Sequence, residues 1–496
     1  MKKGTALICF LTLAMLSGCT NIFDFGSSSS TSITDPSESD YGTSDTLSSS
    51  EISNRSSEVG YTVTWENWDG TILEVDSDVP YGSYPAYGGL IPTKDGNNQY
   101  SYSFSGWSPE ITEVTEDITY TALFNESTNS YTVTWRHWEG TILEIDKNVP
   151  YGSQPSYDGE EPESRIKKVD TAKIDYSYYI FSGWSPKLGP VVGDVNYVAN
   201  YNRFDIAVDS SDGEKFIEIL RVSLGDDNDK LVIPDTMHIE GEDIPVTHIG
   251  DFAFVQSLRS VSLPESITYI SQDAFSGCKS LKFNEYAQCR YLGNDSNPYF
   301  ALIQGMDAES KEVSIHPNTK IIASYAFQQY ESLLSLSIPD SVTHIGSNAF
   351  RECYKLKSVT MGENLKVLYG STFWWCKSLT YVSIPDSVTS LIGYDFSGCL
   401  GLRTVVLGSS ITFVGPSLFG QDVGICKKIS RIYYKGTEED FLAIKFEKYQ
   451  FMMDFYAEWC GCLFLYSETP ETGSCKIAGY KTGGYWHYVN GVPTMW

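Results

Sequence analysis

The chain has few basic residues and very little histidine. It contains 35 Lys and Arg against 63 Asp and Glu, with six histidines, and its formal net charge at pH 7 is −28. Nucleic acids and anionic membrane surfaces repel a chain of this charge. We therefore predict no nucleic-acid partner, and we interpret the negative charge as an aid to solubility.

The sequence also lacks the short motifs of common catalytic and metal sites. It contains no GxSxG, P-loop or GxGxxG pattern. The histidines are scattered, and none stands at metal-ligand spacing from a cysteine or a carboxylate. His248 and His344 occupy the same position of an internal repeat, which explains their placement. We predict no catalytic residue, no metal site and no cofactor, and hence a protein that is not an enzyme.

After its first 20 residues the chain has no apolar run of membrane-spanning length. A basic start and a short apolar run end in Leu16-Ser17-Gly18-Cys19. This ending resembles a bacterial lipobox, which implies a signal peptide over residues 1–19 and a lipid on Cys19. We predict a lipid anchor at the extracellular face of a bacterial cell membrane. Residues 20–60 are Ser-rich and polar, so we predict a disordered tether there.

A period of 23 residues runs through the second half of the chain. It is clearest in five phenylalanines that stand one period apart, namely Phe327, Phe350, Phe373, Phe396 and Phe419. A fixed period of this length is typical of a solenoid, in which each coil buries its apolar columns against the next coil. Solenoids commonly present extended binding surfaces. The period therefore indicates a binding function.

The repeated pattern LxxLxIPDSVTxIGxxAFxxCxxL resembles the BspA-like leucine-rich repeats of bacterial surface proteins. Two earlier copies end at Phe254 and Phe275, and an aromatic insertion follows Phe275. We assign the repeats to residues 205–426. The resemblance implies display at the cell surface and adhesion to a host or neighbouring-cell component, with an extracellular protein or glycan as the partner.

Residues 427–496 break the period, and we predict that they cap the last coil, which would otherwise expose its apolar columns. The segment RIYYKG predicts a strand. Thr437 and Asp440 have the spacing of a helix N-terminal cap. Asn490-Gly491 predicts a terminal hairpin. Three aromatic residues are assigned to packing within this cap: Trp486, Tyr488 and Trp496.

A second repeat, of 70 residues, occupies the middle of the chain. One copy begins at Tyr61 and the other at Tyr131, and each ends with FSGWSP and a further strand. The copies resemble the B-repeats of internalin-type surface proteins, which implies two small β-grasp-like modules over residues 61–127 and 131–204. The second copy has about seven extra residues before FSGWSP, which predict a longer loop.

Alternation in the first strand of each module assigns Trp65 and Trp135 to the core. Trp68 and Trp138 have the opposite parity, which leaves two alternatives: exposed contact residues, or packing residues whose parity a bulge has reversed. We favour packing. The complete prediction is a multidomain, mainly β protein with two β-grasp-like modules, a leucine-rich-repeat solenoid and a C-terminal cap.

The chain has 11 cysteines, of which Cys9 and Cys19 belong to the leader. Four others stand three residues after a repeat phenylalanine, and we predict that they are buried free thiols: Cys278, Cys353, Cys376 and Cys399. The disulfide state of five remains open: Cys289, Cys426, Cys460, Cys462 and Cys475. A local disulfide that includes Cys475 is the more plausible pairing among them.

The strand before each IPDSV motif is predicted to line the concave side of the solenoid, with every second side chain outward. Those outward positions are mostly Ser and Thr, with one aromatic residue, Tyr381. Two interpretations stay open: hydroxyl ladders that only complete a regular sheet, or a polar groove centred on Tyr381 with Arg259, Lys357 and Arg403 beside it. The insertion, with Tyr291 and Tyr299, is an alternative site.

Two functions from different classes fit these observations. One is a surface lipoprotein that binds an extracellular ligand through the repeats. The other is a structural spacer without a specific ligand.

Overall fold

The computed structural model describes residues 60–496 apart from 170, 172, 212, 227, 255–257, 421–424, 448–461, 469–475, 478–479 and 491. Residues 1–59 with Cys19, and also Cys460 and Cys475, lie outside the described residues. The described part is almost entirely β-structure, which confirms the multidomain, mainly β fold. None of its helices is long and apolar enough to cross a membrane.

The first module is a four-stranded sheet in the order β2-β1-β4-β3. Trp65 is fully buried in its core, and the indole Nε1 donates to Asp76 Oδ2 at 2.9 Å. Gly70 has φ +82° in the β1–β2 turn, a conformation that glycine adopts without steric cost. The strands are β1 (Tyr61–Glu66), β2 (Ile72–Val79), β3 (Tyr100–Ser108) and β4 (Ile118–Thr128).

The second module repeats this arrangement, with Trp135 fully buried and bonded to Asp146 Oδ2 at 2.8 Å. The prediction of a longer loop is corrected here, because part of the extra segment forms strand β7, which pairs with β8. The strands are β5 (Ser130–Arg136), β6 (Ile142–Pro150), β7 (Arg165–Lys168), β8 (Tyr176–Ser185) and β9 (Val195–Ser211).

Both junctions of this module are short and hydrogen-bonded. Asn129 alone separates β4 from β5, and its Nδ2 donates to the carbonyl oxygens of Asn97 and Asn98 at 2.7 and 3.1 Å. Strand β9 is 17 residues long and belongs both to the module, through β5, and to the repeat array, through β10. The predicted boundary between residues 204 and 205 therefore falls inside one strand, since no glycine or proline interrupts β9.

The repeat array begins with β10 (Glu214–Ser223), β11 (Lys230–Val232), β12 (Thr236–Ile239), β13 (Glu242–Ile249), β14 (Ser260–Ser262) and β15 (Tyr269–Ile270). Next comes the insertion, which adds antiparallel strands to the array: β16 (Asn284–Tyr286), β17 (Cys289–Leu292) and β18 (Ala301–Gly305). Strand β18 then pairs in parallel with β20, so the insertion joins the same sheet as the coils that follow it.

Each regular coil contributes one strand to a front sheet and one to a back sheet. The front strands are β19 (Glu312–Val313), β21 (Ser335–Ser337), β23 (Ser358–Thr360), β25 (Tyr381–Ser383) and β27 (Thr404–Leu407). The back strands are β20 (Ile321–Ile322), β22 (His344–Ile345), β24 (Val367–Leu368), β26 (Ser390–Leu391) and β28 (Phe413–Val414). Partners in the back sheet differ by 23 residues, so the sequence period is one coil.

The five periodic phenylalanines form a continuous stack in the core, and each is 0% exposed. Ring centroids of the first three successive pairs lie 5.3, 5.4 and 5.7 Å apart, with ring planes within 8° of parallel. The last pair, Phe396 and Phe419, is 6.4 Å apart and tilted by 33°. Burial of each ring contributes roughly 1.5–3 kcal/mol to stability.

The predicted cap extends both sheets beyond the last repeat. It contains β29 (Arg431–Tyr434), α1 (Glu438–Ala443), β30 (Lys445–Phe446), β31 (Leu463–Tyr466), β32 (Lys476–Ile477), β33 (Tyr480–Lys481), β34 (Gly484–Val489) and β35 (Val492–Met495). Thr437 and Asp440 form the predicted capping box at α1, and β34 and β35 form the predicted hairpin. Trp486 is fully buried as predicted, whereas Tyr488 and Trp496 are 42% and 39% exposed.

The repeat cysteines are free and buried, as predicted, and so are Cys289 and Cys426. The thiol of Cys376 donates to the carbonyl oxygen of Phe350 at 3.3 Å, and Cys399 bonds to Phe373 at the same distance. Each thiol thus satisfies a carbonyl of the preceding coil.

We expect these thiols to resist alkylation by iodoacetamide in the folded chain and to react once urea unfolds it. Burial raises the pKa of Cys426 to about 12, and only the thiolate reacts readily. Mass spectrometry of the labelled peptides gives the measurement, with the half-buried Cys462 as an internal reference. Labelling of Cys376 in the folded chain as fast as Cys462 would contradict this burial.

Candidate binding surface of the repeat array

The front sheet presents a polar face between the insertion and the C-terminal hairpin. In each three-residue strand the central side chain is buried in the core, as for Leu336, Val359 and Val382. The flanking side chains point outward, and Ser358 and Thr360 are exposed. The predicted alternation is therefore present.

Tyr381 is the aromatic residue on this face, and it is 43% exposed. It pairs with Thr404 of the next coil. Strands β23 and β25 belong to separate sheets, so Tyr381 opens a new sheet at a seam in the backbone ladder. The exposed part of this aromatic ring is available to stack on a ligand.

The three predicted basic residues do not form one group. Lys357 and Arg403 lie on the coils before and after Tyr381, and both are exposed. Arg259 lies on the other side of the insertion, on β11–β14, and its Nε pairs with Asp229 Oδ2 at 3.2 Å. The structure therefore keeps Lys357 and Arg403 beside Tyr381 and separates Arg259 from them.

A shallow depression of about 630 Å³ lies near Arg259. Strands β11 and β14 form one wall and the insertion forms the other, and its lining includes Ser260, Ser262, Lys282, Asn284 and Asn294. Its lining is mixed, because it also includes Leu231, Val232 and Leu292, and it is open and distinct from the surface around Tyr381.

The aromatic residues of the insertion are mostly internal, which corrects the alternative site. Tyr291 is 0% exposed, burial raises its pKa, and its hydroxyl accepts from the His316 backbone N–H at 3.2 Å. Tyr299 is half-buried and stacks on the His316 ring with centroids 3.9 Å apart. Tyr291 therefore cannot contact a ligand at the surface, and the insertion presents Tyr286, which is 39% exposed.

At the C-terminal end the face is closed by packing. Strand alternation would place Val406 outward, as it does Thr404, yet Val406 is 0% exposed because it packs in a cluster with Tyr433 and Trp486. The indole Nε1 of Trp486 donates to the carbonyl oxygen of Tyr434 at 3.0 Å. The open part of the face therefore ends near Thr404.

The turn before β25 carries aromatic residues that the sequence analysis missed. Trp374 and Trp375 are half-buried, and Lys377 Nζ lies 4.3 Å from the Tyr354 ring centroid and 4.8 Å from that of Trp375. Arg351 lies 4.4 Å from the Trp374 ring. The sequence does indicate this aromatic turn. Two tryptophans occupy positions where other coils have Gln-Gln, Arg-Glu and Ser-Gly.

The coils around Tyr381 carry a net positive charge, whereas the whole chain carries a net negative charge. Residues 353–435 contain nine Lys and Arg against four Asp and Glu. One of these acids, Asp395, is fully buried, and another, Asp386, pairs with Lys435 at 3.2 Å. We call six exposed members of this group the basic edge: Lys357, Lys377, Arg403, Lys427, Lys428 and Arg431.

The exposed tryptophans of the modules correct the packing interpretation. Trp68 is 50% exposed, with Lys94 Nζ 4.8 Å from its ring, and Trp138 is 42% exposed, with the Arg165 guanidinium 3.6 Å from its ring. Both copies thus place a cation over a surface indole at the same position. Among the described residues there is no group of three His, Cys, Asp or Glu side chains arranged to hold a metal ion.

The stacked coils, the two parallel strand rows and the buried phenylalanine column define a leucine-rich-repeat solenoid. Residues 236–297 and 306–426 match the family model described as BspA type Leucine rich repeat region, in six copies. This part of the chain is therefore a BspA-type repeat array, as predicted. The resemblance of the two modules to B-repeats stays a prediction. No curated protein matches the chain.

Three solved bacterial structures are similar to part of the chain. A leucine-rich cell surface protein from Faecalibacterium prausnitzii is 18% identical, covering 48% of this chain and 97% of its own, with a TM-score of 0.31. The pneumococcal vaccine antigen PcpA is 14% identical, covering 54% and 97%, with a TM-score of 0.30. A leucine-rich repeat protein from Bacteroides ovatus is 17% identical, covering 53% and 81%, with a TM-score of 0.24.

Proposed function

We propose that the chain is a bacterial cell-surface lipoprotein that binds an extracellular ligand through the front sheet of its repeat array. Lipid on Cys19 would anchor it, and residues 20–60 would hold the modules and the array away from the membrane. The ligand would be an extracellular protein or glycan, in a role close to adhesion. No catalytic step is part of this proposal.

The observation that carries the proposal is the open polar face around Tyr381. Its outward side chains include exposed hydroxyls at Ser358 and Thr360 and an aromatic ring at Tyr381. Tyr is one of the residues that contribute most to binding at interfaces. The BspA-type repeats support surface display, and a row of parallel strands that continues from coil to coil suits an extended ligand.

A second candidate is a structural spacer, and the junctions of the second module favour it. The Asn129 side chain bonds to the preceding module, and strand β9 runs unbroken from the second module into the array. Such connections transmit position and force, which a spacer requires. They are equally suited to a rigid support for a binding face.

A binding screen separates the two candidates. The intact chain is tested against an array of glycans and extracellular-matrix proteins, and the best saturable ligand is measured again with Tyr381→Ala. We expect binding at least about tenfold weaker, the loss typical of an aromatic hot-spot residue at an interface. Tyr84→Ala in the first module is the matched control, because Tyr84 is 68% exposed and far along the chain from the array.

Both substitutions remove exposed rings, so the melting temperature should not change. If the intact chain binds nothing saturably, the spacer function is supported instead. Equal affinity of the Tyr381→Ala and Tyr84→Ala variants would place the ligand elsewhere on the chain.

A further inference from the structure

We propose that the basic edge, together with Tyr381 and the aromatic turn before β25, binds a linear acidic polysaccharide. This inference rests on the proposed function and names the chemistry of its ligand. Lys357, Arg403 and Arg431 stand at the start of front strands, and Lys377, Lys427 and Lys428 lie in the turns three or four residues before a front strand, so a polymer lying along the array would meet cations on successive coils.

Among the described residues, no carboxylate neutralises the cations of the basic edge. Within the described ranges, none of the six has a carboxylate oxygen within 4.0 Å, whereas Arg259, Arg351 and Lys435 each have one. Lys377 is held between the rings of Tyr354 and Trp375 instead. Exposed unpaired cations in a chain of net charge −28 offer a local site for negative charge.

The negative charge elsewhere on the chain does not cancel this site. Interactions between exposed charges are screened over a Debye length of about 8 Å at physiological ionic strength. The coils that carry the basic edge span residues 353–435, and the acids of the modules lie many coils away along the chain. An anionic ligand in contact with the edge therefore experiences mainly the local positive charge.

The cations recur along successive coils. The coil of Phe350 provides Lys357 and the coil of Phe396 provides Arg403, both seven residues after the phenylalanine, whereas Lys377 stands four residues after Phe373 in the coil between them. Neighbouring parallel strands lie about 4.8 Å apart, so the strands that follow Lys357 and Arg403 are roughly 10 Å apart. A polymer with repeating carboxylate or sulfate groups can use several of them at once.

The surrounding groups favour a sugar polymer over other polyanions. Tyr381 presents an aromatic face for the C–H groups of a sugar ring, and the neighbouring Ser358 and Thr360 hydroxyls can donate to and accept from sugar hydroxyls. Such hydroxyl rows match the apolar centre of a protein interface poorly.

The test measures binding of the intact chain to immobilised heparin over a range of salt concentrations. The variant is Lys357→Ala with Lys377→Ala and Arg403→Ala. Its matched control is Lys320→Ala with Lys366→Ala and Lys445→Ala, which removes the same charge from exposed positions at the back sheet. Neutral dextran and single-stranded oligothymidylate are measured in parallel, and thermal melts confirm that both variants fold.

We expect the intact chain to bind heparin and not dextran, and the front variant to bind at least about tenfold more weakly, with a salt slope smaller by about three, as expected for three lost ionic contacts. The back-sheet control has the same change in net charge, but its substitutions lie away from the basic edge. It should therefore stay within about twofold of the intact chain.

Three results would overturn the inference: no binding of heparin by the intact chain, equal loss in the front variant and the control, or tighter binding of oligothymidylate than of heparin. The proposed function would survive them if the screen finds another ligand that Tyr381→Ala weakens. If neither heparin nor any ligand of the screen binds, both proposals fail.

Discussion

A chain that begins at Asp205 is expected to lose the cooperative folding of its first coils, whereas a chain that begins at Ser130 is expected to melt like the intact protein. Strand β9 is paired along most of its length with β8, from Tyr176 opposite Ile206 to Ser185 opposite Val198. A cut at Asp205 removes β8 completely and divides β9.

The loss is large because β8 belongs to the core of the array. Tyr178 of β8 packs in the same cluster as Phe204, Ile206 and Ile217, and it is 9% exposed. The cut removes Tyr178 and Phe204, and the burial of each such side chain contributes roughly 1.5–3 kcal/mol to the free energy of unfolding. Asp205, 1% exposed, also loses its bonds from Ser177 Oγ at 2.6 Å and Arg203 Nε at 2.8 Å.

Circular dichroism melts and size-exclusion chromatography compare the two truncated chains. The chain from Asp205 should melt more than about 10 °C lower or aggregate, because a loss of several kcal/mol exceeds the stability margin of many domains. Equal melting temperatures and monomeric elution of both chains would show that residues 204 and 205 are a true domain boundary.

Acid is expected to destabilise the array through two half-buried histidines, His248 on β13 and His344 on β22. The His248 ring stacks between Phe216 and Tyr269, with centroids 4.6 and 5.3 Å away, and the Tyr369 ring lies 5.9 Å from His248 and 6.1 Å from His344. Burial lowers the pKa of each histidine to about 4, from 6.5. Asp209 partly opposes this at His248, and Lys366 reinforces it at His344.

The direction in which stability changes with pH depends on whether the folded or the unfolded chain binds the proton more tightly. Between pH 6.5 and about 4 the unfolded chain is protonated at these positions and the folded chain is not, so the stability contribution is complete above pH 6.5 and is lost as pH falls toward 4. At pH 5 the loss is on the order of 1 kcal/mol per histidine, allowing for the exposed part of each ring.

Asp395 acts in the opposite direction. Its side chain is fully buried, and burial raises its pKa from 3.8 to about 7, against hydrogen bonds from the Thr372 and Gly393 backbones. The folded chain therefore holds this proton more tightly, and the contribution of Asp395 to stability falls as pH rises from 3.8 to about 7.

Two substitutions resolve these effects. His344→Val, which copies Val367 at the same position of the next coil, should reduce the fall in melting temperature between pH 7 and pH 5. Asp395→Asn should increase that fall and should raise stability at pH 7. Thermal melts at the two pH values give the measurement, and unchanged pH dependence in both variants would show that neither group titrates as its burial indicates.

Much of the array could be read from the periodic residues. The period fixed the spacing of the coils, the phenylalanine stack and the buried cysteines, because every coil repeats the same local pattern and each column has only its neighbour to pack against. Trp65 and Trp135 were recognised by strand alternation for the same reason. These features depend on residues close in sequence or one period apart.

The makeup of the candidate binding surface depends on contacts that no local pattern encodes. Tyr291 is an aromatic residue in an insertion, as binding residues often are. The antiparallel pairing of the insertion nevertheless places its side chain in the core. Val406 continues an outward row, yet Trp486 from the C-terminal hairpin covers its cluster. Arg259 stands just before a front strand, as Lys357 and Arg403 do. The insertion nevertheless separates Arg259 from them, and Arg259 pairs with Asp229.

By itself, the sequence determined the class of fold, the coil spacing and the polar character of the front face, because these follow from short periodic patterns. Only the tertiary structure decided that β9 joins the second module to the array and that, in the part of the chain that the structure describes, no carboxylate pairs with the basic edge. Both depend on which distant strands and carboxylates come into contact, and those contacts are made by segments more than one period apart.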